Sequence, residues 1–368
     1  MKNKFFALCM LLIVACGFAA CDFGGNYTSQ NSPNGSLVYA DAIEIVEGDT
    51  LSDVVDKILP ACVSITLSND NEVYLGSGIA VAPGGIIATN YHVISNLVPP
   101  TDFSLKVYQN GDMTVGQDAT LLWWSSSTDT ALIKLNNGDM PFASMSDRTV
   151  YYTEGNKLRV LEDVVTIGTP LELSLQNTAT KGVVSHLDRL AVADGRLYED
   201  LIQHDSSISP GNSGGALIDS RGNVIGLNTL GRTDTDASGL FYAVPITPII
   251  SVLPNVISAV NAGTTYLTPT LGVVGSDKNM NSSEYSEDGF YISQVLDNAS
   301  LTGKVQIGDV IVAFEKDGVT YSITDRNDIA YTLYRFKKGD ELKVIVKRGA
   351  LVVSDVEITF SITSEGNN

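Results

Sequence analysis

Three residues in this chain have the types and surroundings for nucleophilic catalysis: His92, Asp129 and Ser213, in that order. Ser213 lies in Ser209-Pro210-Gly211-Asn212-Ser213-Gly214-Gly215-Ala216-Leu217-Ile218-Asp219. A serine hydroxyl is a poor nucleophile until a base takes its proton and donors await the oxyanion. Glycines on both sides let the backbone bend tightly, so the amides of Gly211 and Ser213 can point into one small hole. His92 lies in Ala88-Thr89-Asn90-Tyr91-His92-Val93-Ile94. A strand end leading into a short helical turn holds a general base firmly with one face open. Asp129, in Thr128-Asp129-Thr130-Ala131-Leu132-Ile133-Lys134-Leu135, stands at the mouth of another strand. From there a carboxylate accepts the far N–H of the imidazole, fixes its tautomer and stabilises the imidazolium. Singly, each has a plainer reading as a β-turn, a structural histidine or a turn aspartate. Their joint occurrence is what points to a nucleophile, its base and the base's orienter.

The other two histidines, His186 and His204, lack comparable context. Cys62, in the apolar run Ala61-Cys62-Val63-Ser64-Ile65, reads as a small buried hydrophobe. No cluster of His and Cys has metal-ligand spacing, and neither a metal nor a cofactor is expected.

Positioning such a set takes rigid strands. The chain offers short β-type runs with glycine turns at 62–67, 78–81, 86–89, 105–108, 132–135, 164–167, 182–184, 216–218 and 224–227. Many short strands at this spacing, with little helical periodicity, predict closed antiparallel barrels. Asp49-Thr50 is a capping signal for a helix running to Leu59 and stopped by Pro60. A helix over 248–260 follows Phe241-Tyr242-Ala243-Val244-Pro245 and closes a first domain over 46–262. A second unit, over 267–362, opens with Thr270-Leu271-Gly272-Val273-Val274 and passes a polar insertion at 276–288. It continues through a strand at 290–295, the run 306–312, a helix over 325–336 and strands at 342–346 and 356–361. No short internal repeat is visible.

The 368 residues suffice for two or three modest domains with cores. With 23 Lys+Arg against 42 Asp+Glu the net charge is −19. Such a surface argues against nucleic acid, whose phosphates need basic patches, and against holding an anionic membrane by charge alone. Met1-Lys2-Asn3-Lys4 is basic, and the apolar stretch 5–15 is too short for a comfortable transmembrane span. It ends in Ala15-Cys16-Gly17-Phe18-Ala19-Ala20-Cys21, and small residues before a cysteine resemble a bacterial lipoprotein cleavage site. Cys21 suits a longer apolar region; Cys16, with Ile13 three places upstream, is the alternative, and an ordinary secretory signal is the plainer one. The expectation is a signal peptide over 1–21, a lipid on Cys21 anchoring the chain to a bacterial membrane, and an extracytoplasmic location. Residues 22–45 then read as a flexible tether. Cys62 is left as the only cysteine of the folded part, so the core and not a disulfide must carry stability.

Taken together these stretches resemble the HtrA/Deg (DegP-like) serine proteases, a trypsin-like domain followed by one PDZ domain. The resemblance runs through Asp53-Val54-Val55-Asp56-Lys57-Ile58-Leu59-Pro60-Ala61-Cys62-Val63-Ser64-Ile65, Gly76-Ser77-Gly78, Thr89 to Ile94 and Asp129 to Leu135. It continues through Val165-Thr166-Ile167-Gly168-Thr169-Pro170, Gly182-Val183-Val184-Ser185, Pro210 to Leu217 and Val224 to Thr229. It implies a mainly β fold: two six-stranded β-barrels with the site in the cleft between them, then an α+β PDZ domain. His92 would be the general base, Asp129 its orienter and Ser213 the nucleophile, with the amides of Gly211 and Ser213 as oxyanion hole. The wall and base of the pocket for the residue before the cut (S1) would come from Ser207, Ile208, Leu227, Asn228 and Thr229. No acidic group or histidine is evident there, which points to small or medium apolar residues such as Ala, Val or Ile. Leu271, Gly272 and Val273 resemble the loop that holds a peptide's C-terminal carboxylate while the peptide adds as a strand. The resemblance also implies unfolded or misfolded proteins as substrates, peptide C-termini as PDZ ligands, and a homotrimer. A binding protein or chaperone of the same fold, its protease silent or latent, is the alternative. Departures are Ala216, where proline is frequent, the short connection 96–102, and the insertion 276–288.

Overall fold

A strand with one apolar face must find a second layer, and strands that close into a barrel also lose their unpaired edges. In the computed structural model, the described residues are 29–31, 36–39, 41–98, 101–109, 111–150, 155–193, 195–231, 239–277, 288–297, 299–348 and 351–359. The first ring consists of β1 (Cys62–Ser68), β2 (Val73–Ala82), β3 (Ile86–Thr89), β4 (Ser104–Gln109), β5 (Gln117–Ser125) and β6 (Thr130–Leu135). Its strands pair in the order β1-β2-β3-β6-β5-β4, and β4 returns to β1. The second consists of β7 (Asp163–Gly168), β8 (Thr178–Ala193), β9 (Arg196–His204), β10 (Ala216–Asp219), β11 (Val224–Gly231) and β12 (Phe241–Pro245). Here the order is β7-β8-β9-β12-β11-β10, and β10 returns to β7. Both six-stranded rings therefore follow one topology. This is the double β-barrel that the family resemblance implies.

Three of these strands, β5, β9 and β12, are not among the runs read from the sequence, and β8 is far longer than the expected 182–184. Hydrogen bonding across the hairpin, from Val184↔His204 out to Ala193↔Arg196, extends β8 and β9 well past the apolar segment. The tether expected over 22–45 is corrected where it is described: Ser29–Asn31 and Ser36–Tyr39 are paired strands, joined to the second barrel through Met145–Ser146. Tyr39 drives this, buried edge-on against Phe142 at 6.1 Å. The signal peptide expected over 1–21, with Cys16 and Cys21, lies outside the described residues, as does most of the insertion 276–288. No helix among the described residues is long and apolar enough to cross a membrane.

Helix α1 (Leu51–Ile58) starts at Thr50, whose hydroxyl accepts from Asp53 N while Asp53 accepts from Thr50 N. This reciprocal cap satisfies two amides that would otherwise lack partners. Cys62 is buried, and burial pushes its thiol up to about 12. Two further helices follow, the one-turn α2 (Tyr91–Ile94) and α3 (Thr247–Asn261). In α3, Ile249, Val252, Leu253 and Val256 are buried at the spacing of one helical face.

The second unit has its own core of Leu271, Phe290, Ile311, Phe314, Val344 and neighbours. Its sheet, β13 (Val273–Ser276), β14 (Phe290–Val295), β15 (Val310–Lys316), β16 (Val319–Ser322), β17 (Glu341–Arg348) and β18 (Leu351–Thr359), runs β13-β14-β15-β17-β18, with β16 on β15. Helix α4 (Arg326–Leu333) docks on β9: Asn327 Nδ2 and Tyr331 Oη donate to Asp200 Oδ2 at 2.8 and 3.0 Å, and Arg326 pairs with Glu199. Tyr334 Oη donates to Ser125 Oγ at 2.7 Å, its ring edge-on to Trp123.

Asp325 caps α4 by accepting from Asn327 N and Asp328 N at 2.8 and 3.0 Å. Burial, together with the Asp200 and Asp328 carboxylates, pushes its carboxyl up to about 7. The folded chain then binds this proton more tightly than the unfolded chain, so stability falls as pH rises from about 4 to about 7. Asp325→Asn keeps a capping side chain and removes the charge. Thermal melts of the variant should show a higher Tm at pH 8 and a smaller Tm difference between pH 5 and pH 8. An unchanged pH dependence would reject this account.

Candidate active site

The site is built where the strand ends of the first barrel meet the turn between β9 and β10. β3 ends at Thr89, and Asn90, in extended conformation, leads into α2, which carries His92. Asn90 Nδ2 donates to Asp129 O at 2.9 Å, tying this turn to the start of β6. Asp129 has φ +52°, a left-handed conformation that aspartate tolerates better than most residues. Its side chain is wholly buried. Oδ1 accepts from His92 N at 3.0 Å and from Arg196 Nη1 at 3.1 Å. Oδ2 lies 2.9 Å from His92 Nδ1 and accepts from Thr229 Oγ1 at 3.0 Å. With Nδ1 donating to a carboxylate, Nε2 is left as the basic nitrogen. The His92 side chain keeps 37% of its surface exposed, so the ring is held on one side and open on the other.

Ser213 is presented by a turn that only glycine completes. Asn212 N donates to Ser209 O at 3.0 Å across Pro210 and Gly211, and Gly211 has φ +99°. Proline then glycine in that geometry is a type II turn. Leu171 N donates to Pro210 O at 2.7 Å, fixing the Pro210–Gly211 peptide and directing the Gly211 N–H the opposite way. A Cβ at position 211 would lie 2.4 Å from Thr169 O. Ser77, on β2, secures the turn from the other barrel: its Oγ donates to Gly211 O at 2.7 Å and accepts from Thr169 N at 2.8 Å. Ser77 N donates to Ser213 O at 2.8 Å. Ser213 Oγ donates to Thr229 O at 3.4 Å, a long contact, and no hydrogen bond joins it to His92.

The structure thus brings His92, Asp129, Ser213 and Gly211 together at one cleft, with Thr229 beside them. Two residues beyond Thr229, a Cβ at Gly231 would meet the Phe241 ring at 3.1 Å and Ile208 Cγ1 at 3.7 Å, so these three positions face one another. Leu227 and Asn228 do not line a pocket. Leu227 belongs to the core, and Asn228 Nδ2 donates to Ala216 O at 3.0 Å within the sheet. This corrects their assignment to the S1 wall. Ser207 O accepts from Thr180 Oγ1 at 2.7 Å. His204 is buried against Phe241 with its ring held down to about 4 by desolvation, and is unavailable as a base. The residues that sequence reasoning missed are Ser77 and Arg196. Ser77 sits in a noticed Gly-Ser-Gly, but its role depends on the far barrel; Arg196 opens a charged run that reads as solvated. In the second unit Leu271 enters the core, Gly272 has φ +71° and its carbonyl accepts from Leu296 N at 2.8 Å. Val273 starts β13, the end strand of its sheet. Among the described residues no group of three His, Cys, Asp or Glu side chains can hold a metal ion.

Residues 76–227 match the family profile described as a trypsin-like peptidase domain, a span that includes His92, Asp129 and Ser213. Among curated proteins, the serine endoprotease DegS of Haemophilus influenzae is 32% identical over 252 residues, 66% of this chain and 67% of the relative. A probable periplasmic serine endoprotease, DegP-like, of Pseudomonas savastanoi pv. phaseolicola is 32% identical over 279 residues, 74% of this chain and 53% of the relative. The serine protease HTRA1 of Xenopus tropicalis is 31% identical over 335 residues, 85% of this chain and 66% of the relative. The chain therefore spans between about half and two thirds of these relatives' length. Among solved structures, the HtrA-type protease AlgW with tripeptide superposes with a TM-score of 0.60 at 24% identity, covering 87% of this chain and 100% of that one. The serine endoprotease from Yersinia pestis gives 0.56 at 21%, covering 86% and 99%. These two establish likeness of fold.

Gly211→Ala tests the turn. The added methyl cannot coexist with Thr169 O, so the peptide must reorient and its N–H leaves the cleft. Losing one such donor costs about 10²- to 10³-fold in rate. Fluorophosphonate labelling of Ser213 should fall by about that factor, with the thermal melt still cooperative. Labelling within twofold of the parent would mean that the Gly211 amide is not used.

Proposed function

Given that the chain belongs to the HtrA/DegP/DegS family of serine endoproteases, we propose that it hydrolyses peptide bonds in the cleft between its two barrels. Ser213 Oγ attacks the carbonyl carbon as His92 Nε2 takes its proton, and the amides of Gly211 and Ser213 receive the oxyanion. His92 then protonates the leaving amine, and water deacylates Ser213 by the same route. Asp129 holds the ring in the tautomer this needs. The observation that carries the reading is the convergence of the His92–Asp129 bond and the fixed Pro210–Gly211 peptide on one serine. The apolar setting of Ile208, Gly231 and Phe241 supports cleavage after small or medium apolar residues.

Substrates in this reading are unfolded or misfolded proteins outside the cytoplasm, since an extended segment is what such a cleft admits. The periplasmic naming of the DegP-like relative supports that location; attachment through a lipid on Cys21, or Cys16, rests on the leader sequence. The unit over 267–362 acts as the PDZ domain, taking a peptide C-terminus at Leu271-Gly272-Val273 with the peptide added beside β13. Assembly as a homotrimer follows the family.

A latent protease that mainly binds peptides is the second reading. What favours it is the resting Ser213 hydroxyl, engaged with Thr229 O and not with His92. Casein degradation by the protein, beside Ser213→Ala, separates the two. Proteolysis that is lost in the variant, and stimulated by a peptide with a free apolar C-terminus, is expected. A peptide library should show cuts after Ala, Val or Ile. Neither casein cleavage nor fluorophosphonate labelling would transfer the assignment to the binding protein, and preferred cuts after Lys or Glu would overturn the pocket.

A further inference from the structure

One cation at the cleft has no part in the hydrolysis just described. Arg196 opens β9, in the second barrel, yet its Nη1 donates to Asp129 Oδ1, in the first, at 3.1 Å. The guanidinium lies 5.0 Å from the Tyr198 ring centroid and 5.7 Å from that of Tyr91, the residue before His92. Tyr91 in turn stacks on Trp124 at 5.0 Å. Nη2 is buried without a hydrogen-bond partner, so the carboxylate and the two aromatic rings are what hold the group.

This placement has two opposite effects on the pair beside it. While the ring is neutral, a guanidinium compensates a carboxylate that is wholly buried and would otherwise be costly to keep ionised. When the ring takes up a proton, the same cation repels it. The charged groups touching the His92 turn among the described residues are Asp129, entering β6, and Arg196, from β9. The other contacts are neutral: the Thr229 hydroxyl from β11, the Asn90 amide, and the Tyr91 and Trp124 rings. Glu199 and Asp200, further along β9, are engaged by α4.

We propose that Arg196 is a positioning residue for the triad, acting through Asp129: it keeps that carboxylate ionised and oriented, and limits how firmly the pair retains the proton on His92. The proposal rests on the triad reading above, so its test follows His92 without needing hydrolysis. With three histidines in the chain, the His92 ring can be followed by NMR in the full-length protein carrying Ser213→Ala, its signal assigned by its absence in His92→Gln. In Arg196→Gln the His92 ring should titrate at higher pH than in the parent, because removing a neighbouring cation favours the charged ring. Arg196→Lys keeps the charge and should stay near the parent; Arg196→Met replaces the glutamine variant if that one does not fold. Coincident titrations in the parent and the uncharged variant would overturn the proposal, as would an equal displacement in Arg196→Lys, which would mark packing and not charge. Where casein is cleaved, the acid limb of the kcat/KM profile should move with the NMR titration. Absence of cleavage would count against proteolysis alone, since the NMR comparison decides the role of Arg196 by itself.

Discussion

An ionised carboxylate is tolerated in a protein interior only where donors surround it, and Asp129 imposes that demand on the whole molecule. Its donors come from both barrels: His92 N and Nδ1 from the first, Thr229 Oγ1 and Arg196 Nη1 from the second. Satisfying one buried charge therefore requires the barrels to meet in a single register. Breaking the arrangement from either side leaves a buried charge short of partners, which is worse than never having made it.

Ser77 imposes the same register from the opposite side of the cleft. It belongs to the first barrel, and its backbone and side chain together hold three points of the second: Ser213 O, Gly211 O and Thr169 N. The approach is so close that a Cβ at Gly214 would lie 2.1 Å from Thr89 Oγ1 and 2.3 Å from Ser77 O. The glycines around Ser213 thus serve two ends. Gly211 completes the turn that leads to Ser213, and Gly214 lets the barrels close against each other. Preorganised donors are useful in proportion to how little they must move, and this turn is pinned from both barrels.

Much of this was legible in the sequence, and the failures share a cause. The cleft residues announce themselves because each stands at a strand mouth beside small or turn-forming neighbours, a local signal. Strands such as β3 and β10 are buried on both sides and read as plain apolar runs. β9, Arg-Leu-Tyr-Glu-Asp-Leu-Ile-Gln-His, does not: its charges look solvated until Asp129, Tyr91 and α4 supply partners from elsewhere. Leu227 and Asn228 adjoin Thr229 in sequence, yet Leu227 faces the core and Asn228 is buried with its amide on Ala216 O. The topology common to the two barrels left no visible repeat, because a barrel constrains strand pairing and burial far more than residue identity.

The same reasoning sets the second unit apart. Residues of both barrels join in one core cluster and the second barrel holds a further one, with Val164, Val184, Ile202, Leu217, Ile225 and Ala243, whereas the sheet β13–β18 closes a core of its own. α4 belongs to both: Ile329 and Leu333 lie in the core of its own unit, while Tyr331 and Tyr334 lie in that of the barrels. Its polar contacts are Asp200 and Glu199 on β9; just beyond it Tyr334 bonds Ser125 on β5, and the Tyr334 and Phe336 carbonyls accept from Asn255 of α3 and from Tyr266. Withdrawing α4 would strand the Asp200 carboxylate without its two donors and expose two tyrosines, but would leave both cores otherwise whole. Docking therefore joins the α4 segment to β9, β5 and α3, while each unit keeps a core of its own. Because β9 begins with Arg196, whatever repositions β9 acts on the cation that sits against Asp129.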